Sequence, residues 1–318
     1  MRILGIESSC DETAVAIVEN GQTILSNVVV SQIDIFAAYG GVIPEIAARS
    51  HLEAILPAVH QAFQRAGLVT DSGHDDWSKI DAIAVTHTPG LRGSLLVGTL
   101  TARTLCLLNH KPLYAVHHLK SHIYANWLQS SFLPAFPLIA LIISGGHTQI
   151  VKMSAHQNFE IIGTTRDDAV GECFDKIAKI LGLPYPGGPS ITKAAIPGNS
   201  NAYSFPHPMP GTLDFSFSGL KTAVLREVQK ATGKPISFPS SKLAALLTDQ
   251  QRADFAASFE QTAVDILIEK IKLALNQNPE TQSLIIAGGV SANQRLRHDL
   301  QIFIEQQNSK LHNKINLF

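Results

Sequence analysis

The feature that most limits what this chain can fold into is a pattern that occurs twice. Arg2 to Ile6 is an apolar run, Glu7-Ser8-Ser9-Cys10-Asp11-Glu12-Thr13 is a turn of hydroxyls and carboxylates, and Ala14 to Val18 is a second apolar run. Leu138 to Ile143, Ser144-Gly145-Gly146-His147-Thr148 and Gln149 to Met153 repeat that order. Short runs rich in β-branched residues and bounded by polar turns read as buried strands. Each copy is therefore a strand, a small polar turn and a second strand, the mark of a diverged internal duplication. A chain of 318 residues is too long for one small core. Two halves are expected, residues 1–136 and 137–318.

The first half continues with Asn20-Gly21, a strong hairpin signal, and a third strand from Thr23 to Val30. Three antiparallel strands with a polar first turn form the opening of an RNase H-like fold. After the Gly40-Gly41 turn, Pro44 stands where a helix begins, with Ile46, Leu52, Ile55 and Leu56 as its apolar face. Asp71 to Ser78 is a polar loop, and Ile80 to Val85 is a strand. Pro89-Gly90-Leu91-Arg92-Gly93-Ser94 then turns into a helix starting near Leu95. That order places backbone N–H groups at a helix N-terminus, where an anion is favoured; a tight turn without a ligand explains the residues equally well.

A short strand from Leu113 to Val116 leads into His117-His118-Leu119-Lys120-Ser121-His122. On a helix His118 and His122 stack on one face, and two imidazoles so placed hold a divalent transition metal. With 13 histidines in the chain, the spacing also arises by chance. The zinc-protease pattern is excluded, because Leu119 stands where the general-base Glu belongs.

In the second half, Gly145 and Gly146 let backbone amides approach a phosphate. Asp167-Asp168-Ala169-Val170-Gly171-Glu172-Cys173-Phe174-Asp175-Lys176 is dense in carboxylates where a helix begins. These are either a solvated, dipole-favoured first turn or partners for a metal or a sugar's hydroxyls. Tyr185-Pro186-Gly187-Gly188-Pro189 is a rigid loop suited to a planar or sugar moiety, and Asp214 to Thr222 alternates aromatics and hydroxyls into a helix. A long amphipathic helix runs from about Arg252 to Leu275. Ser283 to Ala287 is a strand, and Gly288-Gly289-Val290-Ser291-Ala292-Asn293 turns into a helix at Gln294 to Leu300. The paired glycines leave room for a nucleoside, to which Asn293 offers both a donor and an acceptor.

A net charge of −1 supplies no global field toward nucleic acid, so a polynucleotide partner needs local patches or helper subunits. Cys10, Cys106 and Cys173 are odd in number and dispersed, as in reduced cytosolic proteins. The first residues are too short and too acidic for a signal peptide, and no apolar run is long enough for a bilayer. A cytoplasmic protein with no membrane partner is expected.

Two RNase H-like halves with phosphate-type hairpins and a late Gly-Gly nucleoside turn resemble the actin–sugar kinase–Hsp70 (ASKHA) superfamily, an α/β class. The likeness reaches one family. Glu7 to Thr13, Gly40 to Glu45, His118 with His122, Ser144 to Thr148, Gly171-Glu172 with Asp175-Lys176, Tyr185 to Pro189, Asp214 to Thr222 and Gly288 to Asn293 all look like the bacterial TsaD family. These are the tRNA threonylcarbamoyladenosine biosynthesis transferases. The resemblance implies transfer of threonylcarbamoyl from threonylcarbamoyl-AMP to the exocyclic amine of the adenosine 3′ of the anticodon, in tRNAs reading codons that begin with A. It implies a divalent metal on His118 and His122, Fe(2+) in the family with Zn as the alternative. Ile142, Ile143, Ser144, Gly145 and Gly146 would line the acyl-phosphate, Asp175 and Gly188 would hold the ribose, and Asn293 the adenine. Asp11 and Glu12 would assist catalysis or position the metal. The implied partners are tRNA, a TsaB-like paralogue, a TsaE-like ATPase and a supplier of the adenylate.

Three departures from the family pattern stand out. Thr88 replaces a Gly before Pro89-Gly90-Leu91, and Lys120 replaces an acidic residue between the histidines. From Phe303 onward the chain is rich in Gln, Asn and Lys and lacks the family's Thr-Asp-Asn turn, whose Asp is a third metal ligand. A truncated C-terminal end, without the usual final strand and helix, is expected, with Asp11 the carboxylate nearest to hand. Two other activities are compatible with the motifs: a truncated paralogue acting as a binding partner, and an ASKHA small-molecule kinase.

Overall fold

The computed structural model describes residues 1–128, 132–309 and 314–318. The chain divides into two compact units, Met1–Leu133 and Pro134–Phe318.

In the first unit, β1 (Arg2–Glu7), β2 (Glu12–Glu19) and β3 (Thr23–Ser31) form an antiparallel meander. Asn20 and Gly21 both adopt positive φ, as a tight hairpin turn requires. The short α1 (Ile33–Ala37) and the long α2 (Pro44–Arg65), with Pro44 in its first turn, follow. Next come β4 (Ala82–Thr88), α3 (Arg92–Asn109), β5 (Leu113–His117) and α4 (His118–Tyr124). β4 lies parallel to β1 and β5 parallel to β4, giving the order β3-β2-β1-β4-β5. Leu4, Ile6, Ile17, Ile55, Phe63, Ile83 and Val97 build the core under α2 and α3.

The buried stripe of α2 shares only Ile55 with the expected one. It comprises Ala47, His51, Ile55, Ala58, Val59, Ala62 and Phe63. Leu52 and Leu56 point outward, 65% and 59% exposed. Each stands next in sequence to a buried residue, a rotation of about 100°. The sheet accepts small alanines and one hydrogen-bonded histidine along the stripe, so bulk alone misplaced the face.

The second unit repeats the plan. β6 (Leu138–Ile143), β7 (Thr148–Ala155) and β8 (Asn158–Thr164) form its meander. Then come α5 (Val170–Leu181), α6 (Gly187–Ala195), α7 (Ser218–Ala231), α8 (Asp249–Gln277), β9 (Ser283–Ala287), α9 (Gln294–Asn308) and β10 (Asn316–Leu317). The order β10-β9-β6-β7-β8 matches the first sheet strand for strand. Every residue of β6 and β9 is buried, as befits strands covered on both faces. α8 opens with a capping box between Thr248 and Gln251 and runs through the core.

After α9 the chain ends on a two-residue strand, β10. Leu296, Leu300 and Ile304, four apart, keep α9 packed as far as Asn308. The Asn308 side chain clasps Ile315, donating to its carbonyl at 2.9 Å and accepting from its N–H at 2.8 Å. That clasp delivers Asn316 and Leu317 to Ser283 and Leu284 of β9. Part of the Gln/Asn/Lys-rich tail, residues 310–313, lies outside the described residues. Among the described residues no helix is long and apolar enough to cross a membrane.

Candidate functional site

β5 ends on His117, and the chain passes directly into α4, which anchors itself through buried Leu119 and Ile123. His118 and His122 are thereby stacked on an adjacent face, with their Nε2 atoms 3.1 Å apart. Two nitrogens bound to one metal at ~2.1 Å, at right to tetrahedral angles, stand about 3.0–3.4 Å apart. The pair fits a divalent ion.

His118 is also held from behind. Its Nδ1 donates to Glu7 Oε2 at 3.1 Å and lies 3.3 Å from Ser9 Oγ. Thr86 Oγ donates to the same carboxylate oxygen at 2.6 Å, and the Ser9 N–H donates to Glu7 Oε1 at 2.5 Å. Burial pushes the Glu7 carboxyl up, but the hydrogen bonds from His118, Ser9 and Thr86 outweigh it and hold the pKa down at about 2. Glu7 is therefore an ionised acceptor, which requires the proton of neutral His118 on Nδ1 and the lone pair on Nε2. This is the carboxylate–histidine arrangement that orients metal ligands. β1 and β4 create it by placing Ile6 beside Val85, so that Glu7 and Thr86 follow as neighbours.

Asp11 does not complete the pair. Among the described residues no group of three or more His, Cys, Asp or Glu side chains is gathered for a metal. Glu7 is the carboxylate that meets His118. Asp11 lies on the β1–β2 turn and Glu12 opens β2; burial, then Asp11 and Glu7, push the Glu12 carboxyl up. The turn rests on fully buried His51, which meets Thr13 Oγ at 2.7 Å and the Cys10 carbonyl at 3.1 Å. The Cys10 side chain is exposed, and desolvation near the turn, then Asp11, push its thiol up to about 12. The Pro89–Ser94 turn packs on the same hairpin: Leu91 N–H donates to the Ser9 carbonyl at 2.8 Å, and a Cβ on Gly90 would stand 2.5 Å from it. Close packing accounts for that glycine.

In the second unit three loops meet at Ile143–Ser144. A Cβ on Gly171 would stand 2.6 Å from the Ser144 carbonyl, and one on Gly288 (φ +95°) would strike the Ile143 carbonyl. Val170 N–H donates to Thr148 Oγ at 2.9 Å, fixing the start of α5 against the β6–β7 turn. Ile142 and Ile143 are buried within β6, paired with β7 and, at Ile142, with β9. Gly145, Gly146, Gly188 and Gly289 face open space.

The four acidic side chains near α5 find partners within the chain. Asp167 accepts from the N–H groups of Phe217 and Ser218 and from the hydroxyls of Ser216 and Ser218, capping α7 from about fifty residues away. Burial opposes its ionisation, but these bonds hold the carboxyl below its usual range. Lys176 pairs with Asp168 and Glu172, each at 2.8 Å. Asp175 Oδ1 accepts from Gly187 N–H at 2.7 Å, which sets the carboxylate beside the open Gly188.

Asn293 differs from expectation. Its Oδ1 accepts from Leu296 N–H at 2.9 Å, capping α9, and its Nδ2 donates to Glu260 Oε1 at 2.7 Å and Thr192 Oγ at 3.1 Å. The donor attributed to it from the sequence is engaged. Glu7, Thr86, Thr192 and Glu260 were not singled out beforehand. Of these, only Glu7 lay in a motif, as the first residue after the β1 apolar run.

Comparison with known proteins places these features in one lineage. The family model for tRNA N6-adenosine threonylcarbamoyltransferase, TsaD, matches residues 23–312. The tRNA N6-adenosine threonylcarbamoyltransferase of Symbiobacterium thermophilum is 48% identical over 310 residues, covering 97% of this chain and 84% of that protein. The enzyme of the same name from Bacillus subtilis is 45% identical over 307 residues, covering 95% and 81%. A solved structure of full-length HypF, in its phosphate- and nucleotide-bound form, aligns at 12% identity with TM-score 0.57, covering 100% of this chain and 52% of that one. At that identity it speaks for the fold alone. The chain is an ASKHA-fold transferase and belongs to the TsaD family of tRNA N6-adenosine threonylcarbamoyltransferases.

Proposed function

We propose that the chain transfers threonylcarbamoyl from threonylcarbamoyl-AMP to the exocyclic amine of the adenosine 3′ of the anticodon, in tRNAs reading codons that begin with A. The observation that carries this reading is the carboxylate-backed imidazole pair, with the Nε2 atoms of His118 and His122 converging at 3.1 Å. A divalent metal bound there, Fe(2+) in the cell with Zn as the alternative, would polarise a carbonyl and neutralise charge on a departing phosphate. Glu7 keeps the Nε2 lone pair of His118 presented and fixes the ring. In the second unit, the backbone of Ile142 to Gly146 lines the acyl-phosphate, since Gly145 and Gly146 leave their amides unobstructed. Asp175 and Gly188 hold the ribose, and the Gly288–Asn293 turn holds the adenine. Asp11 and Glu12 on the first turn assist in positioning.

A near-neutral chain grips tRNA with help, and the helpers in this reading are a TsaB-like paralogue, a TsaE-like ATPase and an enzyme that supplies the adenylate. The test is a reconstituted reaction with threonylcarbamoyl-AMP and unmodified tRNA, followed by mass analysis of nucleosides and of AMP. Modified adenosine with stoichiometric AMP is expected, lost in His118→Ala and in His122→Ala. ADP formation from ATP with an unmodified tRNA would assign the chain to the kinases of this fold instead.

A further inference from the structure

A fully buried histidine needs a partner at each ring nitrogen, and the partners of His51 show what it holds. It stands on the inward stripe of α2 with Ala47, Ile55 and Ala58, where an apolar side chain would fill the place without a desolvation cost. The β1–β2 turn supplies both partners. Nε2 lies 3.1 Å from the Cys10 carbonyl, which only accepts, so the proton of the neutral ring is on Nε2. Burial pushes the ring's pKa down, against the Cys10 carbonyl, Glu7 and Asp11, and favours that neutral form. The lone pair on Nδ1 accepts from the Thr13 hydroxyl at 2.7 Å, with the Gln32 amide nitrogen a longer neighbour at 3.4 Å. One ring thereby ties the residue before Asp11 and Glu12 to the residue after them. The flanking carbonyls are held as well. Ser9 accepts from Leu91 N–H at 2.8 Å and Asp11 from Gln32 N–H at 3.0 Å, while the Ser94 hydroxyl stands 3.4 Å from the Cys10 carbonyl. Asp11 remains half-buried and Glu12 exposed, so both carboxylates are open to a ligand.

We propose that His51 is a positioning residue for the transfer reaction: its ring holds Cys10 and Thr13 in a fixed relation and so aims the Asp11 and Glu12 carboxylates. The inference rests on the reading that Asp11 and Glu12 assist the reaction. Fully buried, His51 touches no ligand and acts only through the turn. The turn needs such a tie, because Glu7, Asp11 and Glu12 carry like charge along one short stretch. The brace on His118 comes from Glu7 and Ser9 instead, so the imidazole pair should keep its metal affinity when His51 is lost. Misplacing a group that assists a reaction by about 1 Å costs up to ~100-fold in rate. The damage is therefore expected in kcat and not in substrate affinity.

His51→Leu removes both bonds and keeps apolar bulk, whereas His51→Gln retains an amide donor for the Cys10 carbonyl. In the reconstituted reaction with threonylcarbamoyl-AMP, His51→Leu should lower kcat by about 10–100-fold and leave KM within about 3-fold. His51→Gln should recover to within about 10-fold of wild type. Zn(II) affinity should stay within about 3-fold in both variants. Independently of turnover, hydrogen exchange in the peptide spanning residues 8–14 should quicken in His51→Leu at an unchanged melting transition. In an Asp11→Asn/Glu12→Gln background His51→Leu should add no further loss, because a residue acting through those carboxylates has nothing left to aim; a general weakening of the fold would add to it. Should His51→Leu not fold, His51→Gln and Thr13→Val carry the same comparisons. Wild-type kcat or unchanged turn exchange in folded His51→Leu, or an additive loss in the combined variant, overturns the proposal. Wild-type kcat in Asp11→Asn/Glu12→Gln shows instead that the carboxylates take no part, and the inference falls with that reading. A wild-type protein without transfer activity removes the reaction itself, and this role with it.

Discussion

Replacing Glu7 by Gln removes one charge and turns one acceptor into a donor, and the structure dictates where the damage falls. Glu7 Oε1 faces the Ser9 N–H, a donor that cannot be reversed, and Oε2 faces Thr86 and His118. Gln must therefore keep its oxygen toward Ser9 and present its NH2 to His118. The Thr86 hydroxyl rotates to accept at little cost. His118 has to offer a lone pair on Nδ1, which moves its proton to Nε2, the atom that faces His122. A metal then has to displace that proton from a ring no longer braced by a carboxylate. Losing such an orienting partner costs about 10–100-fold in metal affinity, or roughly 1.4–2.7 kcal/mol. Competition of the apo-protein against a chromophoric chelator for Zn(II) or Co(II) measures it directly. Asp11→Asn serves as the control, because Asp11 is not gathered with the histidines, and its affinity should stay within about 3-fold of wild type. Undiminished affinity in Glu7→Gln, or a larger loss in Asp11→Asn, would show that the tautomer argument is wrong.

Three further outcomes are expected. Gly288→Ala forces a side chain into φ +95° and against the Ile143 carbonyl, so the second unit should lose at least ~1–3 kcal/mol in urea unfolding; an unchanged midpoint would mean that the turn relaxes freely. Asp167 has its carboxyl held below the usual range in the folded state. Its contribution to stability is therefore complete above the unfolded carboxylate pKa and drains away as pH falls through the folded one. Asp167→Asn should flatten the acid limb of the pH–stability curve, and an unaltered limb would refute this. The isolated chain, near neutral overall, should bind tRNA weakly, with affinity falling steeply as salt rises; tight, salt-insensitive binding in a filter assay would contradict it.

What could be read from the chain beforehand was whatever depends on neighbours in sequence. The duplicated strand–turn–strand units, the Asn20-Gly21 hairpin, Pro44 at the start of α2 and the limits of β9 all follow from local periodicity and turn chemistry. The His118–His122 pair belongs to the same class, because helical spacing alone brings the rings together, here edge to face. Errors began where the deciding partner was distant. The inward face of α2 includes Ala47, Ala58 and Ala62, small residues that a face chosen by bulk passes over. The short pairing of Asn316 and Leu317 with β9 gave no signal in the polar tail, because the Asn308 clasp that delivers it is tertiary.

The polar side chains of the site follow the same division, with a chemical consequence. Asp167, Asp168, Glu172 and Asp175 looked like an excess of negative charge in need of a metal or a sugar, yet Lys176 and donors on α6 and α7 satisfy them. Glu7 reaches His118 across 111 positions, and Asn293 reaches Thr192 across 101. In both cases the residue identified from sequence is the one that would touch the ligand. The residue that meets it stands on another element, remote in sequence, and only for Glu7 does a motif contain it. A motif names the atoms available for chemistry; which nitrogen of His118 holds the proton is decided by Glu7, and the orientation of the Asn293 amide is fixed by the N–H of Leu296. Substitution at Glu7 therefore separates position from identity, since it leaves the histidine in place and alters only the state in which it is presented.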